Sequence, residues 1–193
     1  MQFLFGIDEA GRGPLAGPVY AACCILPEDF PVELLNDSKD LSSKKRNKIE
    51  PIIKEKAIAF GIGFATHTEI DKINILQATL LSMKRAFENM LVMLKEKYPE
   101  KAENLKLSGI VDGTFIPDIS AQCKAEPKAD GKYPCVMAAS ILAKNERDRV
   151  MIEYAKLYPE YGYERHKGYP TLAHKEKCRQ IGPSPIQRLS FKY

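Results

Sequence analysis

Met1 to Pro14, MQFLFGIDEAGRGP, is the stretch whose reading decides the fold. Phe3, Phe5 and Ile7 alternate with Gln2, Leu4 and Gly6, and this period of two predicts a β-strand. Two adjacent carboxylates follow, Asp8 and Glu9, and then Gly11-Arg12-Gly13-Pro14, through which a helix cannot easily run. The acids are therefore expected where a strand gives way to a turn. Regular strand geometry sends neighbouring side chains to opposite faces. Both acids serve one site only if the strand ends or bends there, which Gly11 and Gly13 permit. Paired acids beside glycines and an arginine suggest a cation together with a phosphate-bearing ligand. A solvated strand end with a tight turn is the plainer alternative, and the dipeptide alone favours it.

The 193 residues suit one domain of ordinary size, and 45% hydrophobic residues suffice for a core. No apolar run approaches the roughly 18 residues needed to cross a bilayer, and no signal-peptide pattern is evident at the N-terminus. The 5 cysteines are odd in number and form no C-x-x-C pair. Reduced thiols in a cytoplasmic protein are expected, not a disulfide framework or a zinc site. The net charge of +4 is unevenly distributed: residues 165–193 hold seven Lys or Arg and one acid, whereas the rest is close to neutral. A basic tail on a near-neutral body is compatible with a polyanionic partner, and equally with a merely soluble basic surface.

Residues 15–26 are small and apolar and read as a second, buried strand. Ser42 is a candidate N-cap for a helix running to about Ala57, which Pro51 should kink or break. A third strand is expected over Ile58–Thr66, its glycines either weakening it or allowing close packing. From Leu76 to about Tyr98, Leu76, Leu80, Met83, Phe87, Leu91 and Leu94 form one apolar helical stripe. Short strands are expected at Leu107–Thr114 and Ile119–Ala125, a turn at 128–132, and a long helix from Pro134 to about Tyr158. Beyond it lies one helical patch near Thr171–Gln180. Two close opening strands followed by strands separated by helices predict a mixed sheet flanked by helices.

Asp8, Glu9 and Asp112 stand at predicted strand ends or turns, and Asp130 stands in a turn before the long helix. Oxygen-only sites of this kind hold hard cations such as Mg²⁺ or Mn²⁺. Two such ions held about 3.5–4 Å apart by carboxylates serve in-line attack on a phosphodiester. His67, His166 and His174 show no ligand spacing. On the long helix Ser140, Lys144 and Asp148 recur at intervals of four, with Arg147 one step aside. That face can show phosphate ligands, or Lys144 and Asp148 can pair with each other. Ala138, Ala139 and Ala143 would let the helix approach the sheet closely. Arg165-His166-Lys167-Gly168-Tyr169 sets a basic stretch beside an aromatic, which suits a backbone contact plus stacking.

Taken together, the segments resemble the type 2 ribonucleases H, in their bacterial ribonuclease HII branch. The resemblance is carried by GIDEAGRGPLAGPV (residues 6–19), DSK (37–39), INILQA (73–78), VDG (111–113) and KAD (128–130), in that order. It continues through AASILAK (138–144), Arg147-Asp148, HKGY (166–169) and GPSP (182–185). It implies a ribonuclease H-like five-stranded mixed sheet flanked by helices, with residues 1–158 catalytic and 159–193 a small, basic C-terminal extension packed on it and touching substrate. It also implies cleavage of the RNA strand of RNA–DNA hybrids, and nicking 5′ to single ribonucleotides in duplex DNA, leaving 3′-hydroxyl and 5′-phosphate ends. Carried over by motif, Asp8, Glu9, Asp112 and Asp130 hold Mn²⁺ or Mg²⁺, with Asp148 as the alternative fourth acid. Gly11, Arg12 and Gly13 resemble the loop that reads the ribonucleotide, and Tyr169 the tyrosine that stacks on the neighbouring sugar. Lys39, Asn74, Gln77, Ser140, Lys144 and Lys167 are implied contacts to phosphate or backbone. A monomer without membrane association, acting in the cytoplasm, is expected. Pro51, and Asn145 with Glu146, depart from the family pattern without touching the acids.

Two other readings compete. A non-catalytic nucleic-acid-binding domain would be expected to lack at least one of the acids. A dinucleotide-binding protein would use Gly11, Gly13 and Gly17 as its glycine loop. Pro14 and Pro18 argue against a helix start there, and no ribose-binding acid follows at the usual distance of about 20 residues.

Overall fold

The computed structural model describes residues 2–35, 42–100 and 105–192. Its centre is the predicted first strand, β1 (Gln2–Ala10). Around it stand β2 (Val19–Ile25), β3 (Ala59–Ala65), β4 (Lys106–Asp112) and β5 (Gln122–Glu126), in the sheet order β3-β2-β1-β4-β5. β1 runs antiparallel to β2 and parallel to β4, so the sheet is mixed, as the element order predicts. β2 pairs antiparallel with β3, and β4 parallel with β5.

Helices α1 (Ser43–Lys56) and α3 (Pro134–Leu157) cover one face, and α2 (His67–Lys97) covers the other. The alternation in β1 is realised: Phe3, Phe5 and Ile7 are buried against Met83, Phe87 and Met90 of α2. The rings of Phe5 and Phe87 lie 5.2 Å apart. Burying side chains of this size contributes about 1.5–3 kcal/mol each. On the opposite face Ala138, Ala139 and Ala143 are fully buried against the sheet. Gly6 lets α3 begin directly over β1, since a Cβ there would lie 2.3 Å from the backbone N of Val136. Gly61 and Gly63 do the same for α2, so the glycines of the third strand serve close packing.

Besides β2 and β5, which start later than expected, at Val19 and Gln122, and the unexpected short helix Tyr163–His166, three elements differ more instructively from expectation. β1 does not end at the acids but continues to Ala10, because Asp8, Glu9 and Ala10 still pair with Ala22, Ala21 and Tyr20 of β2. α1 starts at its Ser42 cap but runs unbroken through Pro51. The carbonyl that the proline leaves without a donor belongs to Asn47, which is exposed and open to water. α2 begins nine residues before the predicted Leu76: Thr66 and Glu69 form a reciprocal capping box ahead of His67. Its early turns are separated from the rest by Asn74, whose left-handed φ of 65° makes the kink.

The chain closes with α4 (Tyr163–His166) and α5 (Leu172–Ile181). Tyr161, Tyr163, Cys178 and Ile186 pack there against Ala16, Met151 and Ala155. Among the described residues no helix is long and apolar enough to cross a membrane.

Candidate active site

The acids meet where β1 loses a neighbour. β4 pairs with β1 only as far as Ile7 opposite Val111 and ends at Asp112, so Asp8 to Ala10 keep β2 alone. Asp8 lies on the α3 face, 5% exposed, beside the Ser140 hydroxyl. Glu9 lies on the α2 face, sharing a small cleft with Arg12, Leu76 and Asp112. The strand thus sends the two acids to opposite faces, as regular geometry requires. They still belong to one site because both sit at the open end of one strand.

The electrostatics bear this out. Burial pushes the Asp8 carboxyl well above its ordinary value, and the Glu9 and Asp112 carboxylates push it further. The Ser140 hydroxyl and the Glu9 N–H, which donates to Asp8 Oδ1 at 2.7 Å, favour the ionised form. Glu9 is raised by burial and by Asp112, against the pull of Arg12, whose Nη1 lies 3.4 Å from Glu9 Oε1. Three carboxylates therefore repel one another, with one half-exposed arginine beside them. Asp130 reaches the same end of the sheet through the backbone. It sits in the 3₁₀ turn Ala129–Gly131, and the Ala129 N–H donates to Asp112 Oδ1 at 2.7 Å.

This donor set suits a hard cation: the atoms are all carboxylate oxygens and their charge is in excess. Among the described residues no three His, Cys, Asp or Glu side chains are gathered closely enough to hold a metal ion by themselves. An open arrangement fits an ion that keeps several waters and shares its coordination with a phosphate. Asp148 is engaged elsewhere, 2.7 Å from Lys144 Nζ and 2.9 Å from Arg46 Nη2. It lies eight residues beyond Ser140, about 12 Å along the helix.

The glycine loop adjoins this edge. Gly11 has φ 102°, and a Cβ there would lie 2.1 Å from Arg147 Nε. A Cβ on Gly13 would touch the Tyr169 ring at 3.8 Å, so the loop and the tyrosine are neighbours. Lys144 Nζ and Arg147 Cζ each lie 5.7 Å from the centre of that ring. The structure thus brings Arg12 and Ser140 to the acids, and sets Gly11, Gly13, Lys144 and Tyr169 around Arg147 at the loop that follows them. Asn74 Oδ1 accepts from the N–H groups of Leu76 and Gln77 at 2.9 and 3.1 Å, capping the second part of α2. Leu76 lines the Glu9 cleft, so Asn74 and the exposed Gln77 stand at its rim. Lys167 is turned back, its Nζ donating to the carbonyl of Glu164. Lys39 lies outside the described residues.

Sequence reasoning passed over Arg46, which holds Asp148, and took Arg188 as one more cation of a basic tail. Arg188 is fully buried. A cleft of about 710 Å³ lies at the far end of the sheet, where Gln2, Leu4, Phe30 and Pro134 line it. The acids occupy a shallow edge instead, a shape suited to a polymer rather than an enclosed small molecule.

The sequence profile of Ribonuclease HII matches residues 5–193. This chain belongs to the ribonuclease HII family. A ribonuclease HII from Treponema denticola is 54% identical over 194 residues, covering 97% of each chain. The solved ribonuclease H2 from Pyrococcus horikoshii OT3 superposes with a TM-score of 0.71 at 28% identity, over 98% of this chain and 94% of that one. Bst-RNase HIII in complex with Mn²⁺ has the same fold, with a TM-score of 0.74 at 18% identity, over 98% of this chain and 67% of that one. The fold is therefore ribonuclease H-like, and the protein is a hydrolase, an endonuclease acting on RNA in RNA–DNA hybrids.

Proposed function

We propose that this ribonuclease also nicks duplex DNA 5′ to single embedded ribonucleotides, leaving 3′-hydroxyl and 5′-phosphate ends, by two-metal-ion hydrolysis. The observation that carries the metal-dependent reading is the buried Asp8 carboxylate beside Glu9 and Asp112, a cluster of like charge without a matching set of bases. Asp8, Glu9, Asp112 and Asp130 would hold Mg²⁺ or Mn²⁺. Those ions, when bound, supply the activation of water and the neutralisation of the leaving oxygen. The protein's own groups do the rest. Ser140 fixes Asp8, and Arg12 restrains Glu9. The exposed Arg12–Gly13 backbone, which follows the buried Gly11, would meet a ribose 2′-hydroxyl, which distinguishes RNA from DNA.

Tyr169 presents a ring 38% exposed beside that loop, available to stack on the sugar beyond the ribonucleotide. Lys144 stands next to it, with Asn74 and Gln77 at the opposite rim, as phosphate contacts. Lys39 and Lys167 complete the proposed contacts, the latter after its Nζ leaves the Glu164 carbonyl. We assign catalysis to residues 1–158 and substrate contacts to the extension 159–193. The five free cysteines accord with a reducing, cytoplasmic setting, and one site per chain accords with a monomer.

The test is a labelled DNA duplex carrying one ribonucleotide, incubated with Mg²⁺, Mn²⁺ or EDTA. A single cut 5′ to the ribonucleotide, lost in EDTA, is expected. Cutting of long hybrids alone would remove the nicking activity and the roles given to Gly11, Arg12, Gly13 and Tyr169.

A further inference from the structure

Arg147 and Arg188 are both completely buried, and among the described residues neither forms an ion pair. Burying a cation without a carboxylate is costly unless its donors are otherwise satisfied. Here backbone carbonyls satisfy them. Arg188 donates from Nε to Gly17 O at 2.8 Å, from Nη1 to Arg12 O at 3.0 Å, and from Nη2 to Gly11 O at 2.6 Å and Pro18 O at 3.1 Å. Arg147 donates from Nε to Pro18 O at 3.0 Å, and from Nη2 to Ala16 O at 3.3 Å and Lys167 O at 3.0 Å. Burial pulls Arg188 down to about 9, with the charge of Arg147 adding to the effect, and burial pulls Arg147 down to about 10. Both remain charged at neutral pH.

We infer that Arg188 and Arg147 are positioning residues that aim the Gly11–Gly13 loop at the ribose, an inference that rests on the ribonucleotide-reading role given to that loop above. In a trans peptide the C=O and the following N–H point in opposite directions, and among the described residues there is no cis peptide bond. Because Arg188 draws the carbonyls of Gly11 and Arg12 inward, the N–H groups of Arg12 and Gly13 are turned outward. Neither N–H donates a hydrogen bond among the described residues.

Arg147 fixes the other end of the loop and reaches the second reading element. It packs on the face that Gly11 leaves bare, bonds Lys167 O, and keeps its unpartnered Nη1 in a guanidinium lying against the Tyr169 ring. A lysine at either position keeps the charge but loses the planar fork that gathers several carbonyls.

The test compares wild type with Arg188→Lys and Arg147→Lys. Affinity is measured in EDTA for a duplex with one ribonucleotide and for the same duplex in all-DNA form, alongside thermal unfolding. The wild type should prefer the ribonucleotide. In Arg188→Lys the preference should fall about fivefold, the worth of one misdirected hydrogen bond, while all-DNA affinity changes less than about twofold and unfolding stays cooperative. The amide resonances of Arg12 and Gly13 should shift in the free variant. An undiminished preference in a folded lysine variant, or equal losses on both duplexes, would overturn the inference. Should Arg188→Lys not fold, Arg147→Lys decides by the same ratio. A wild type without any preference would instead overturn the functional reading on which the inference stands.

Discussion

The Asp112 carboxylate accepts a 2.7 Å hydrogen bond from the Ala129 N–H, and this contact fastens the turn bearing Asp130 to the end of β4. One side chain thus serves the cluster of acids and the geometry of the segment beside it. Asparagine retains an oxygen acceptor for Ala129 but loses the charge. Asp112→Asn is expected to abolish cleavage while denaturant unfolding stays close to wild type. Asp112→Ala removes both functions and should in addition lose about 1–2 kcal/mol, the cost of an unsatisfied backbone donor. Equal stability of the two variants would show that the Ala129 contact is dispensable.

Asp8 is 5% exposed and its carboxyl is held well above the ordinary range by burial and by Glu9 and Asp112. Such a group costs the folded protein most at pH values above its ordinary titration, where the unfolded chain is freely ionised. Asp8→Asn removes that cost. In EDTA at pH 7 the variant should unfold at a higher temperature than wild type, although cleavage is lost. Mn²⁺ should raise the midpoint of wild type and leave the variant nearly unchanged. A lower midpoint for the variant in EDTA would make Asp8 a structural acid.

Much of this was legible in the sequence, and the misses have physical causes. Alternation at Phe3, Phe5 and Ile7 and the stripe from Leu76 to Leu94 report one-sided burial, which local patterning encodes. The end of β1 was misplaced because pairing to β2, a tertiary contact, carries Asp8 and Glu9 as strand up to the first glycine with positive φ. The early start of α2 was written in Thr66-His67-Thr68-Glu69, a capping-box pattern that the apolar stripe overshadowed. The roles of Arg147 and Arg188 had no such signal. A lysine- and arginine-rich tail reads Arg188 as solvent-facing, the long helix reads Arg147 as one more cation of a phosphate-binding face, and only the folded loop reveals carbonyls arranged to receive two buried guanidiniums.

Glu50 shows how α1 is held. Its buried carboxylate accepts from both terminal nitrogens of Arg149 at 2.8 Å and from Asn145 at 2.9 Å, with Lys54 Nζ at 2.7 Å. Although burial opposes ionisation, these donors prevail and hold the carboxyl at about 2. The stabilisation is therefore complete above the ordinary glutamate value and is lost as pH falls toward 2. Glu50→Gln should cost about 2 kcal/mol at pH 7, allowing for the partly exposed Arg149 and Lys54. The difference from wild type in urea unfolding should shrink steadily below pH 4.

His166 and His174 stack 4.5 Å apart beneath the Tyr169 segment. The His166 Nδ1 accepts from the Gly168 N–H at 3.2 Å, so its Nε2 carries the proton given to Tyr161 O at 2.9 Å. His174 donates from Nδ1 to Tyr169 O at 3.0 Å, leaving a buried Nε2 without a partner. Both rings are thereby fixed as neutral tautomers. Burial lowers both pKa values, with Lys167 adding to the effect on His166 and His166 on His174, while Glu164 opposes it at His166. The unfolded chain takes up protons first as pH falls, so stability is full above about 6.5 and declines below it. His174→Asn keeps a donor toward Tyr169 O but cannot be protonated. It should be less stable than wild type at pH 7, and urea unfolding should show that gap narrowing by pH 5. A gap independent of pH would mean that the pair packs without sensing protons.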